Sequence, residues 1–113
     1  MISTFEIRNR TCLVTLAGEL DRANVAELVR EITACLDNAP SVLFDFGAVT
    51  YINGAVMSLL LDVLEGLDEG GWLGVARPLP WIEHLLQVVG LTDRKNFRIF
   101  PTITEALQAA EGD

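Results

Sequence analysis

Basic residues are scarce in this chain: eight Lys and Arg stand against sixteen Asp and Glu, a formal net charge of −8. A nucleic-acid-binding domain needs a concentrated basic surface to displace counterions from phosphates. The one loose cluster, Arg94, Lys95 and Arg98, reads as a solvated loop. Nucleic acid is therefore not expected as a partner. An anionic membrane surface would be repelled, and a protein with a basic face favoured.

Groups that do chemistry are equally sparse. The single histidine, His84, falls with Glu83 and Gln87 on the polar face of a helical pattern and is expected in solvent. A nucleophilic triad has no base beside a nucleophile. Glu19 and Asp21 could in principle act as an acid–base pair, but Asp21 has a simpler role at a helix N-terminus. The two cysteines, Cys12 and Cys35, belong to no CxxC pair or histidine cluster, so a metal site is not expected. They read as buried free thiols in a reducing cytoplasm; a disulfide between them stays open. Neither GxGxxG nor GxxxxGK[ST] is present, so no nucleotide loop or cofactor is expected. Together these absences argue against an enzyme.

Long apolar runs are missing too. The longest, Val56 to Leu64, is interrupted by Ser58 and Asp62 and is too short to span a bilayer. The first residues lack a basic segment followed by an apolar one, so no signal peptide is expected and the location reads as cytoplasmic.

Hydrophobic residues, by contrast, make up half of the 113 residues, enough for the core of one domain spanning 1–113. Phe5-Glu6-Ile7-Arg8 and Cys12-Leu13-Val14-Thr15-Leu16 read as two strands of a hairpin. Ala17 to Asp21 breaks that pattern. Val25, Leu28, Val29, Ile32 and Leu36 then recur at helical spacing, up to Asp37-Asn38-Ala39-Pro40. Val42-Leu43-Phe44-Asp45-Phe46 reads as a strand buried on both faces. Residues 53–69 read as a helix with Ser58, Asp62, Glu65 and Glu69 in one narrow polar stripe, stopped by Gly70-Gly71.

The remainder is a strand at Trp72–Ala76, a helix opened by Pro78 and Pro80 and capped by Gly90, a strand at Phe97–Phe100, and a helix begun by the capping box Thr102–Glu105. The last residues, Glu111-Gly112-Asp113, are expected to fray. The order ββαβαβαβα implies an α/β fold: a mixed, mostly parallel sheet of about five strands with about four helices.

Some positions stand out within that frame. Asn53-Gly54 precedes a helical run, so Asn53 is expected as an N-cap rather than a hairpin turn. Ser58, one turn inside, reads as an ordinary surface serine. Trp72 is expected in the core. Trp81, at a loop-to-helix junction, is equally compatible with core and interface.

The segment Leu16-Ala17-Gly18-Glu19-Leu20-Asp21 resembles the L-x-G-x-L/I-D signature of STAS domains, the family of anti-sigma factor antagonists and sulphate-transporter cytoplasmic domains. Leu43 to Ile52 is similar to the family's central strand and the loop after it. Leu86-Gln87-Val88-Val89-Gly90-Leu91 is similar to its late L-x-x-x-G-L. Phe97 to Ala110 is similar to its last strand and helix. Each motif is weak alone; their joint order covers nearly the whole chain.

The resemblance implies a protein-interaction module without catalysis. In the antagonist branch, the second hydroxyl residue of D-S/T-S/T-G-L is phosphorylated by a partner that is both kinase and anti-sigma factor. A phosphate would add roughly −1.5 to −2 charge at a helix N-terminus, where the dipole tolerates it, and would abolish docking. Here Asn53 replaces the Asp, Gly54 the first hydroxyl residue, Ala55 the phosphorylatable one and Val56 the glycine. The usual switch is absent from its usual place.

The implied docking residues are Asp21, Asn53, Gly54, Ala55, Met57 and Ser58. The implied partner is an anti-sigma factor/GHKL-type serine kinase or another STAS protein. The alternatives are a scaffold or transport-complex subunit, or a domain binding a small ligand or nucleotide at the carboxyl ends of the strands.

Overall fold

The computed structural model describes residues 2–112. Strands β1 (Ile2–Arg8), β2 (Thr11–Leu20), β3 (Ser41–Ile52), β4 (Leu73–Ala76) and β5 (Phe97–Phe100) form one sheet in the spatial order β1-β2-β3-β4-β5. β1 and β2 are antiparallel, and every later pair is parallel. The β1–β2 turn is made by Asn9 and Arg10, at φ 52° and 61°. Positive φ at both central residues is what a tight two-residue hairpin requires.

Helices α1 (Arg22–Leu36), α2 (Gly54–Gly66) and α3 (Pro80–Val88) connect successive parallel strands. Each crossover steps to the next strand in the same direction. Right-handed connection then places all three helices on one face of the sheet. Alternate residues of β2 and β3 point at them: Cys12, Val14 and Leu16, then Val42, Phe44 and Phe46, packed with Leu28, Ile32, Leu60, Ile82 and Leu86.

Helix α4 (Ile103–Gly112) covers the opposite face. There Leu13, Leu43, Trp72 and Ala76 meet Ala106 and Leu107. Gly74 lies within this layer. A β-carbon there would come within 2.8 Å of the Trp72 ring and 2.9 Å of Phe100. Its absence lets those rings meet edge to face at 5.8 Å. The Thr102 hydroxyl accepts from Glu105 N–H at 3.1 Å and starts α4 as the capping box predicts.

Four local expectations are corrected. β2 does not break at Ala17 but runs to Leu20, with register shifts between Thr15 and Ala17 and between Gly18 and Glu19. β3 does not end at Phe46; residues 47–52, expected as a loop, extend it to Ile52 and pair with the end of β2. The reason is tertiary: each extension supplies the backbone partners of the other. α2 stops at Gly66, before the Gly70-Gly71 pair expected to stop it, and Leu67 leaves the helix in extended geometry.

The fourth correction concerns the cysteines, which are not free thiols. Cys12 on β2 and Cys35 on α1 are disulfide-bonded, with Cα atoms 6.0 Å apart. Sequence spacing could not show that the helix returns Cys35 over Cys12. At the C-terminus, α4 continues through Gly112; the fraying expected of Asp113 lies outside the described residues.

Candidate docking face

Leu20 and Ile52 are register partners at the ends of β2 and β3. The next residue on each strand is a helix N-cap. Asp21 accepts from Ala23 N–H at 3.0 Å. Asn53 accepts through Oδ1 from Ala55 N–H at 3.0 Å and from Val56 N–H at 3.4 Å. Both caps satisfy amides that have no partner inside their helices. Sheet pairing thus sets the N-termini of α1 and α2 side by side at the carboxyl edge of the parallel strands.

Gly54 and Ser58 are exposed there, while Asp21, Asn53 and Ala55 are partly exposed. Met57 is different. It is only 7% exposed and belongs to the core, because a residue three positions beyond Gly54 has turned toward the sheet. Its place among the docking residues is corrected: it supports the surface from beneath.

Three further residues complete the face. Tyr51, on the exposed extension of β3, is 45% exposed; Trp81, in the first turn of α3, is 44% exposed. Their ring centroids lie 6.3 Å apart. Leu79, the residue before α3, is exposed beside them. The structure therefore resolves the two readings of Trp81 against the core, and Trp72 is buried as expected. Tyr51 was hidden in a segment read as loop. The signal available in the sequence was its position in a β-branched and aromatic run, Val49-Thr50-Tyr51-Ile52, which suits a strand.

The polar groups nearby are structural. Asp45 is buried on the α4 side of β3 and receives Arg77 through Nε at 3.2 Å and Nη2 at 3.0 and 2.8 Å. The Gly47 N–H donates to the same carboxylate at 2.9 Å. The Asp45 hydrogen bond, and then its charge, raise the Arg77 pKa above the ordinary arginine value. His84 is exposed, as expected. Among the described residues, no group of three His, Cys, Asp or Glu could hold a metal ion. No helix among them is long and apolar enough to cross a membrane.

The family described as "Mlab, STAS domain" matches residues 3–102. The chain belongs to the STAS domain family. An anti-sigma factor antagonist from Mycobacterium paratuberculosis shares 25% identity over 96% of this chain and 92% of that one, with a TM-score of 0.85. Unphosphorylated SpoIIAA, the Bacillus anti-sigma factor antagonist, shares 18% identity over 99% of this chain and 100% of that one, with a TM-score of 0.80. The murine anion transporter Slc26a9 contains the same fold: 14% identity over 96% of this chain but 19% of that one, with a TM-score of 0.76. No curated protein matches. The STAS fold thus occurs both as a small protein and inside a transporter.

Proposed function

We propose that this STAS domain is a non-catalytic docking module of the antagonist type. It binds a protein partner through Asp21, Asn53, Gly54, Ala55 and Ser58, with Tyr51, Leu79 and Trp81 as the apolar anchors. The carrying observation is the exposed Tyr51–Trp81 pair beside the N-terminus of α2. Large aromatics cost apolar hydration when exposed and dominate binding energy when a partner covers them. The proposed partner is a GHKL-type anti-sigma factor kinase.

Ala55 occupies the position of the switch hydroxyl, so docking is constitutive rather than phosphate-gated at that residue. The same substitution favours a second reading, a STAS subunit of a transport or scaffold assembly, which needs no phosphorylation switch. The proposed location is the cytoplasm.

The test is a pull-down from native extract with wild type and Trp81→Ala, partners and phosphosites being identified by mass spectrometry. An anti-sigma factor kinase captured by wild type and lost with Trp81→Ala supports the first reading. Transporter subunits or other STAS proteins captured with the same dependence support the second. Equal capture by both proteins removes the assigned face.

A further inference from the structure

The end of the molecule opposite the docking face carries a second surface. Helices α1 and α2 run parallel, so their C-termini lie together. Between them is an open groove of about 410 Å³ with an apolar floor of Ile32, Leu36, Leu59 and Val63. It is bordered by three carboxylates, Asp37, Asp62 and Asp68. Among the described residues none of the three makes a side-chain hydrogen bond or an ion pair; the Arg94–Glu65 pair, at 3.8 Å, leaves them untouched. α2, at 13 residues, spans about 20 Å at 1.5 Å per residue, so this groove and the Asn53–Ala55 surface occupy different ends.

The charge around the groove runs against the interest of the isolated fold. A helix C-terminus presents unpaired carbonyls and about half a negative charge, which Lys or Arg in the last turn would offset. Neither α1 nor α2 has a basic residue in its last turn. Asp37 instead caps α1, and Asp68 follows α2. Two helix ends and three carboxylates therefore hold one uncompensated negative potential around an apolar trough.

We infer that this groove receives a basic amphipathic helix from a partner protein, its apolar face on Ile32, Leu36, Leu59 and Val63 and its Lys or Arg side chains toward Asp37, Asp62 and Asp68. A helix laid between two others is a recurrent recognition mode, with apolar anchors at helical spacing and flanking charge setting specificity. A second copy of this acidic chain fits less well, since it brings like charge. The domain then has two separate docking surfaces, and this inference does not rest on the function proposed for the first.

Gly66 offers a clean way to close the groove. It lines the trough, and a β-carbon added there meets no atom within 4 Å. The test titrates a fluorescent fourteen-residue helical peptide of Leu and Lys (~four turns), and its Leu–Glu counterpart, into the full chain. Anisotropy gives the affinity, and amide chemical shifts locate the site. The Lys peptide is expected to bind saturably, with shifts centred on residues 29–37 and 59–68 and affinity that falls with salt. Gly66→Trp, and separately Asp62→Lys with Asp68→Lys, should each weaken it at least about tenfold, with circular dichroism showing an intact fold. Absence of saturable binding overturns the inference. So do shifts centred elsewhere, equal binding of the Glu peptide, or full affinity in both folded variants.

Discussion

The guanidinium of Arg77 lies where a side chain at Gly47 would stand: a β-carbon built on Gly47 would fall 2.5 Å from Arg77 Cζ and Nη2. Arg77 itself has φ 58°, in the left-handed region that costs a branched or bulky side chain energy. β4 ends at Ala76 while β3 continues, so Arg77 folds over the uncovered β3 backbone and clamps buried Asp45.

This relationship predicts a non-additive pair. Gly47→Ala should displace Arg77 and destabilise the domain by about 1 kcal/mol, the scale of one weakened charged hydrogen bond at a half-exposed site. In an Arg77→Ala background the same change should cost almost nothing. Urea denaturation of the four proteins measures the coupling, and additive effects would refute it. Because the folded pKa of Arg77 is raised above its unfolded value, its contribution is complete below that unfolded value and is lost only as strongly alkaline pH passes through the folded one. Titration of Arg77 should therefore leave the coupling unchanged between about pH 6 and about pH 9.

The Cys12–Cys35 bridge closes a sequence separation of 23 residues. Constraining the unfolded chain over such a loop corresponds to about 3 kcal/mol. A reductant should therefore lower the melting temperature of wild type but not that of Cys35→Ala. An unchanged wild-type transition, with thiol counting confirming reduction, would show that the bridge contributes nothing to stability.

The caps at Asp21 and Asn53 should be worth about 1 kcal/mol each. Asn53→Ala is expected to lower the unfolding free energy by that amount in urea denaturation, while Asn53→Asp, which retains the acceptor, restores it. Equal losses in both variants would separate the side chain's role from capping.

Trp81 should divide stability from binding. Its ring is nearly half exposed, so Trp81→Ala is expected to cost folding no more than about 2 kcal/mol. The same change should reduce affinity for the captured partner at least about 30-fold, the mark of an interface anchor. Ala55→Asp should also weaken that complex, because a charge would be buried where a methyl group docks. Calorimetry on both variants reads these effects; unchanged affinities would remove Trp81 and Ala55 from the interface.

The element order was legible because each helix has a stripe of apolar residues and each buried strand a run of them. Asn53 and Thr102 were legible as caps because their short side chains precede helical periodicity. The extensions of β2 and β3 were not, since the strand character of residues 17–20 and 47–52 depends on pairing with each other. Met57 was misplaced for a related reason: adjacency to a motif does not specify which way a helix residue turns.

By itself, the sequence determined the element order, the helix starts, the family signature and the absence of a hydroxyl at Ala55, because these are local in the chain. Tertiary structure alone decided that Cys35 lies over Cys12, that Tyr51 meets Trp81, and that two acidic helix ends share one apolar groove. Those facts join residues far apart in sequence, and only the direction and hand of each crossover bring them together.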